Sequence, residues 1–288
     1  MKNKEYLTIS KSSFFIVVGK YFSTSIYEYY VIMVYDLFSR SILYLFCMKK
    51  FMKVSAALAS ICMKQANIIY LSADDVVCYR INISTLSKNF QYELQEVPYY
   101  LYNAKLKRLH EFFAGRILAE AILKQHFNCS IPITSMQLKW PQWPQGFKGC
   151  ISHSNQWVVV AISSQAKYLG IDLEHIVNMN FAKESIPLIL TQFEQMLWWM
   201  GKARPLNFYA YITLIFSLKE SLYKAVYPVV QNYIDFLEVT VVKVDVGSRM
   251  AILKFDQDIQ ERYSLNAEYE GFWRFCDGYV FTWVLINC

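Results

Sequence analysis

The chain has no C-x-x-C pair, and its cysteines are odd in number: seven, at positions 47, 62, 78, 129, 150, 276 and 288. That pattern offers neither a disulfide framework nor a cysteine zinc site, so reduced thiols in a cytoplasmic setting are expected. The four histidines, at 110, 126, 153 and 175, make no H-E-x-x-H pair, which removes the helical zinc-protease signature. No G-x-S-x-G elbow is present. Ser152 and His153 are adjacent on a candidate strand and so point to opposite sides, which disfavours a nucleophile-base pair. Charge is sparse, at 18% of residues, and the net +6 comes from 29 basic and 23 acidic residues. The basic residues are scattered, so nucleic acid is not an expected partner. A mild positive excess suits an acidic protein or a phosphorylated ligand. A clean apolar run of about 20 residues, which a membrane helix needs, is also missing. The most apolar stretch, SIYEYYVIMVYDLFSRSILYLFC, is broken by Glu28, Asp36 and Arg40.

What remains is a globular composition, 55% apolar and rich in Tyr and Phe, long enough to bury a sizeable core. Residues 1–65 read as an N-terminal extension. Lys49, Lys50 and Lys53 before a short apolar run resemble a weak signal peptide, and the bland alternative is a start placed too far upstream. From residue 66 the text becomes regular and mixes α and β. IIYLSADDVVCYRINI has strand character. Residues 104–125 predict an amphipathic helix with Leu106, Leu109, Phe113, Ile117 and Ala121 on one face. The Pro- and Gly-punctuated stretch 131–149 predicts a loop. CISHSNQWVVVAIS and KYLGIDLEHI predict two strands. Thr191 with Glu194 marks a capped helix start. A longer helix is predicted from Asn207 to Val226, stopped by Pro228, and strands close the chain.

Three short texts carry candidate chemistry. In Gly170-Ile171-Asp172-Leu173-Glu174, residues two apart on a strand share a side, so Asp172 and Glu174 present two carboxylates together. Like charges this close call for a cation or a proton between them, and magnesium favours carboxylates plus substrate phosphates. Alone, such a pair is more often just solvated. In Phe216-Ser217-Leu218-Lys219-Glu220-Ser221-Leu222-Tyr223-Lys224, Glu220 and Lys224 share a helix face. Their apolar flanks bury that helix, and buried charges need partners or a function. In the third text, Ser152, His153 and Ser154 offer hydroxyl, imidazole and backbone N–H to a phosphate, or a structural cap.

In order and spacing, AGRILAEAIL (114–123), PQWPQGFKGCISHS (141–154), GIDLE (170–174) and FSLKESLYKA (216–225) together resemble the surfactin-type 4'-phosphopantetheinyl transferases, in their enterobactin-synthetase branch. The resemblance covers about residues 66–288. It implies an α+β fold of two similar halves related by a pseudo-two-fold, the first over 66–168 with coenzyme A contacts and the second over 169–288 with metal and catalytic residues. It implies magnesium on Asp172, Glu174 and Glu220, with Glu220 and Lys224 at the reacting phosphate. Ser152, His153, Arg116 and Lys139, and less directly Lys107 and Arg108, are implied coenzyme contacts. Cys150 stands where the family usually has Ser, and Leu218 where Ala is common. The implied activity moves phosphopantetheine from coenzyme A to a serine of a carrier-protein domain, in siderophore or nonribosomal peptide assembly. A cytoplasmic monomer, with association to a siderophore synthetase complex as a further option, is the matching expectation. The rival expectations are a non-catalytic carrier-binding relative and a membrane-associated protein acting through residues 1–65.

Overall fold

The computed structural model describes residues 4–11, 14–22, 28–36, 42–45, 56–71, 75–87, 98–133, 140–201, 203 and 206–287. The chain divides into two compact units, residues 1–53 with 93–96 and residues 54–92 with 97–288. In the first, strands β1 (Lys4–Lys11), β2 (Phe14–Phe22), β3 (Glu28–Asp36) and β4 (Ile42–Leu45) form an antiparallel meander in chain order. No helix among the described residues is long and apolar enough to cross a membrane.

The second unit holds two antiparallel sheets. One has the order β5-β6-β8-β7, from β5 (Asn67–Ile68), β6 (Val76–Asn82), β7 (Lys148–Ser154) and β8 (Trp157–Ser163). Strand β8 reads Trp-Val-Val-Val-Ala-Ile-Ser and is buried from Val158 onward, as a central strand covered on both faces should be. The text CISHSNQWVVVAIS is therefore a hairpin, β7 and β8, and not one strand. Its turn is made at Asn155, whose φ of 53° lies in the left-handed region that Asn tolerates better than most residues. Helix α3 (Leu106–Phe127) covers this sheet. Helices α1 (Ala56–Gln65) and α2 (Ile83–Ser87) pack against α3. Every residue from 111 to 119 on α3 is consequently buried, while Leu106, expected on the apolar face, is 61% exposed.

The other sheet has the order β10-β11-β12-β13-β9. It is built from β9 (Ala166–His175), β10 (Val239–Asp245), β11 (Met250–Phe255), β12 (Tyr269–Cys276) and β13 (Tyr279–Asn287). Helix α4 (Met179–Ile189) precedes α5 (Gln192–Trp199), which opens on the expected Thr191–Glu194 capping box. The long α6 (Phe208–Val230) is capped by Asn207, whose side chain accepts from Ala210 N–H at 2.9 Å. It runs through Pro228 into its last turn rather than stopping there, at the loss of one hydrogen bond to the carbonyl four residues back. A short helix, α7 (Gln257–Tyr263), interrupts the closing strands. Each half thus pairs an antiparallel sheet with one long helix, an α+β architecture.

Two features bring the halves' functional text together. Strands β7 and β9 are edge strands of their own sheets and lie side by side. Alternate side chains of β7 stitch them: the Cys150 thiol points at Ile171 C=O, while Ser152 and Ser154 hydroxyls accept from the N–H groups of Leu173 and His175. On the other side, α6 presses onto β9 at Gly170. A Cβ there would stand 1.9 Å from the Ser221 carbonyl oxygen and 2.6 Å from Ala225 N. Only the missing side chain permits this approach, which sets Glu220 and Lys224 beside Asp172. Ser217 and Ser221 hydroxyls lock the contact through Thr282, at 2.9 and 2.6 Å, and Thr282 pairs in register with Asp172.

Candidate active site

Asp172 is 1% exposed. One of its oxygens, Oδ1, accepts from Ser152 at 2.9 Å and from the Lys224 ammonium at 2.5 Å. The other, Oδ2, is buried with no hydrogen-bond partner. A buried anionic oxygen without a donor is costly, so it marks a place built to receive one. Glu174, two residues on and on the same side of β9, accepts weakly from Ser154 at 3.4 Å. Its carboxyl is pushed up to about 8, first by burial and then by the Asp172 charge, with Lys224 opposing. Burial also raises Glu220, against the pull of Lys224. The Glu220 carboxylate stands 3.8 Å from the Lys224 ammonium. Burial disfavours the Lys224 charge, but Asp172, Cys150 and Glu220 outweigh it and raise this ammonium above the ordinary lysine value. Lys224 therefore stays charged.

No group of three carboxylate, imidazole or thiol side chains among the described residues stands at metal-binding spacing. Lys224 takes the cation's part on Oδ1. The donor set still fits a hard divalent ion: two carboxylates on one side of a strand, a third on the facing helix, and one orphaned oxygen. Such an ion needs only one or two carboxylates, the rest of its shell coming from water and phosphate.

Glu174 supplies a direct check. Its folded pKa of about 8 lies above the ordinary glutamate value of 4.5, so the folded state binds the extra proton between these values. The stability it contributes is full below about pH 4.5 and falls as pH rises toward 8. Melting temperature in the absence of divalent ions should therefore fall across this window more steeply than in Glu174→Gln. Magnesium, which binds the deprotonated form, should raise the melting temperature more at pH 8 than at pH 6. A magnesium effect independent of pH, or unchanged in Glu174→Gln, contradicts the ligand assignment.

Two basic residues of the first half, Lys107 and Arg108, gather with His153 at the start of α3. Glu111, 7% exposed, holds Lys107 at 3.9 Å, Arg108 at 3.4 Å and His153 at 3.5 Å. Arg108 also contacts the other nitrogen of the His153 ring. His153 is held down to about 4, first by burial and then by the Arg108 and Lys224 charges, so it is neutral at physiological pH. Its field includes Lys224 and Asp172, which places this cluster beside the carboxylates. The structure thus brings Lys107, Arg108, Ser152, His153, Asp172, Glu174, Glu220 and Lys224 to one site. Ser152 is 3% exposed and fully engaged, donating to Asp172 and accepting from Leu173 N–H, which makes it a holder of Asp172. Arg116 turns inward. Its guanidinium lies 3.6 Å from the Phe112 ring centre and donates to the Phe112 carbonyl, and burial lowers it to about 10. Lys139 lies outside the described residues.

Sequence reasoning missed two features. Glu111 could have been found from its spacing of three and four from Arg108 and Lys107. The other is an apolar cleft of about 420 Å³ that opens beside Glu174 and is lined by Val177, Ile189, Ile212, Thr213 and Phe216 among others. Phe216 lies one turn before Glu220 on α6. Ser154, a candidate phosphate contact in the sequence, is instead spent on the Glu174 carboxylate and the His175 N–H.

Comparisons with known proteins agree with this arrangement. The 4'-phosphopantetheinyl transferase N-terminal domain matches residues 96–163, and the 4'-phosphopantetheinyl transferase superfamily matches residues 168–284. Enterobactin synthase component D of Salmonella typhi is 34% identical over 137 residues, 47% of this chain and 56% of the relative. The Escherichia coli K12 protein of that name is 35% identical over 136 residues, 46% of this chain and 63% of the relative. The 4'-phosphopantetheinyl transferase Svp of Streptomyces mobaraensis is 30% identical over 186 residues, 62% of this chain and 73% of the relative. The chain thus spans less than two thirds of the enterobactin synthase relatives. The boundary between the two family regions falls at the turn from β8 to β9, where the two sheets meet. The chain belongs to the 4'-phosphopantetheinyl transferase superfamily.

Proposed function

We propose that this protein transfers the 4'-phosphopantetheine arm of coenzyme A to a serine of an apo carrier-protein domain. The observation that carries this reading is the convergence of Asp172, Glu174, Glu220 and Lys224 beside the basic cluster of α3. The cluster suits a nucleotide's phosphates and the carboxylates suit a cation on its pyrophosphate. Asp172, Glu174 and Glu220 would hold magnesium there. When bound, it neutralises charge on the pyrophosphate and fixes the reacting phosphorus.

The chain's own residues supply the rest. Lys107, Arg108 and His153 position the coenzyme's adenosine phosphates. The carrier serine oxygen bonds to the phosphorus of the arm as the bond to the adenosine bisphosphate oxygen breaks, and that oxygen leaves with the electron pair. The serine proton passes to Glu220, directly or through a water. Burial raises Glu220, which makes its carboxylate a better base than an exposed one. Lys224, held charged, stabilises the leaving phosphate rather than giving up its proton. The apolar cleft beside Glu174 suits the uncharged part of the arm or an apolar residue of the carrier. The same reading assigns coenzyme contacts to the first half, residues 66–168, and chemistry to the second, 169–288. It places the protein, as a cytoplasmic monomer, in siderophore or nonribosomal peptide assembly.

The test is incubation with coenzyme A, magnesium and several apo carrier domains, read by mass spectrometry. A carrier mass gain equal to one phosphopantetheine, lost with chelator, is expected. Binding of carriers without any mass gain on any of them overturns the reading in favour of a non-catalytic carrier-binding protein.

A further inference from the structure

On β9 the residue between Asp172 and Glu174 points the other way. Leu173, 6% exposed, pairs in register with Phe281 on β13, and Phe281 pairs with Arg274 on β12. These three side chains form a row across the face of the sheet opposite the carboxylates. Facing them from the first half are Ile68, Ile69 and Arg80, and together they enclose a crevice of about 180 Å³. A space of that size is on the scale of a fragment rather than a nucleotide.

The crevice is lined by two cations and no carboxylate. Arg80 stacks 4.8 Å from the Trp157 ring centre, which fixes its plane. Its one carboxylate neighbour among the described residues, Asp277, is 3.6 Å away and 71% exposed. An exposed pair of that kind neutralises little. Arg274 donates to the Tyr70 carbonyl at 3.2 Å, a neutral acceptor, and no ion pair to it is formed among the described residues. The two guanidiniums reach the crevice from different halves, over a floor of Leu173 and Phe281. A bare inorganic anion would leave that floor uncovered, and a neutral apolar molecule would leave the forks unused.

We propose that this crevice binds a small monocarboxylate with an apolar body, its carboxylate on Arg80 and Arg274 and its body on Leu173 and Phe281. Guanidinium forks match carboxylates bidentately, and the paired apolar rows supply burial for a branched or cyclic hydrocarbon. The crevice uses none of the side chains assigned to the reaction.

The experiment is a methyl-resolved NMR titration of the full chain with cyclohexanecarboxylate, its neutral carboxamide and inorganic phosphate. The expected result is saturable shifts at Ile68, Ile69 and Leu173 with the carboxylate alone. Arg274→Gln and Arg80→Gln should each weaken it by about tenfold or more, the order for a lost hydrogen bond to a charged group. Equal shifts with the carboxamide or phosphate, no saturable shift, or full affinity in both folded variants overturns the proposal and leaves the arginines as braces between the halves.

Discussion

Asp172→Asn is expected to lower kcat/KM for carrier modification by about 10²–10³-fold, the order seen when one preorganised charge-stabilising group is removed, in a protein that stays folded. Asparagine keeps the volume of Asp172 and an oxygen where Oδ1 now accepts from Ser152 and Lys224. Packing and both hydrogen bonds therefore survive. What changes is Oδ2, the buried oxygen without a partner. It becomes an NH2 that points a donor where a cation or a phosphate-bound metal would sit. Magnesium should consequently lose its effect on melting temperature in this variant at every pH. Glu220→Gln should also suppress transfer yet keep part of the magnesium effect, since Asp172 and Glu174 remain. A near-normal rate for Asp172→Asn would sink the metal assignment. A large loss of rate with the magnesium effect intact would instead make Asp172 only the anchor of Lys224.

How much of this site could be read from the text depends on the range of the contact. Asp172 and Glu174 were legible because a strand's period puts them on one side without help from elsewhere. Glu220 and Lys224 were legible because a helix turn does the same. The structure adds what local periodicity cannot hold. Ser152 looks like a phosphate ligand in sequence, but two edge strands from different sheets meet there, and its hydroxyl is spent on Asp172 and on the Leu173 N–H. Arg116 looks like an available cation, yet the middle of α3 is buried between its sheet and α1, so its guanidinium lies on Phe112. The β7–β8 turn was missed because Ser-Asn-Gln-Trp has no glycine, although Asn155 takes the left-handed conformation. Helix α7 was missed because it buries only Ile259, which leaves no apolar period to read. The family text was nonetheless legible over both halves, because its short motifs are the residues that the sheet edges and α6 bring to one point.

Lys219→Met, one residue before Glu220, should cost about 3–5 kcal/mol of stability at neutral pH, the range for removing one partner of a buried ion pair. For a unit of this size that lowers the melting temperature by on the order of 10 °C. Lys219 is 1% exposed and its ammonium points away from the site. It donates to the Ile189 and Phe236 carbonyls at 2.8 and 2.9 Å and to Glu194 at 2.8 Å. Glu194, 0% exposed, also accepts from Thr191 N–H and from Val241 N–H on β10. The pair ties α4, α5, α6 and the second sheet together. Without Lys219, Glu194 keeps two backbone donors but no counter-charge, and burial drives its pKa further above the unfolded value. The folded variant then binds a proton that the unfolded chain does not, so its deficit should grow as pH rises from 5 to 8. Lys219→Met/Glu194→Gln should recover much of the loss, because no buried charge is left unpaired. The folded fraction of either variant should keep kcat within a fewfold of the parent, in contrast to Glu220→Gln. A Lys219→Met protein of normal stability that has lost turnover would move Lys219 into the chemistry and out of the frame that carries Glu220 to Asp172.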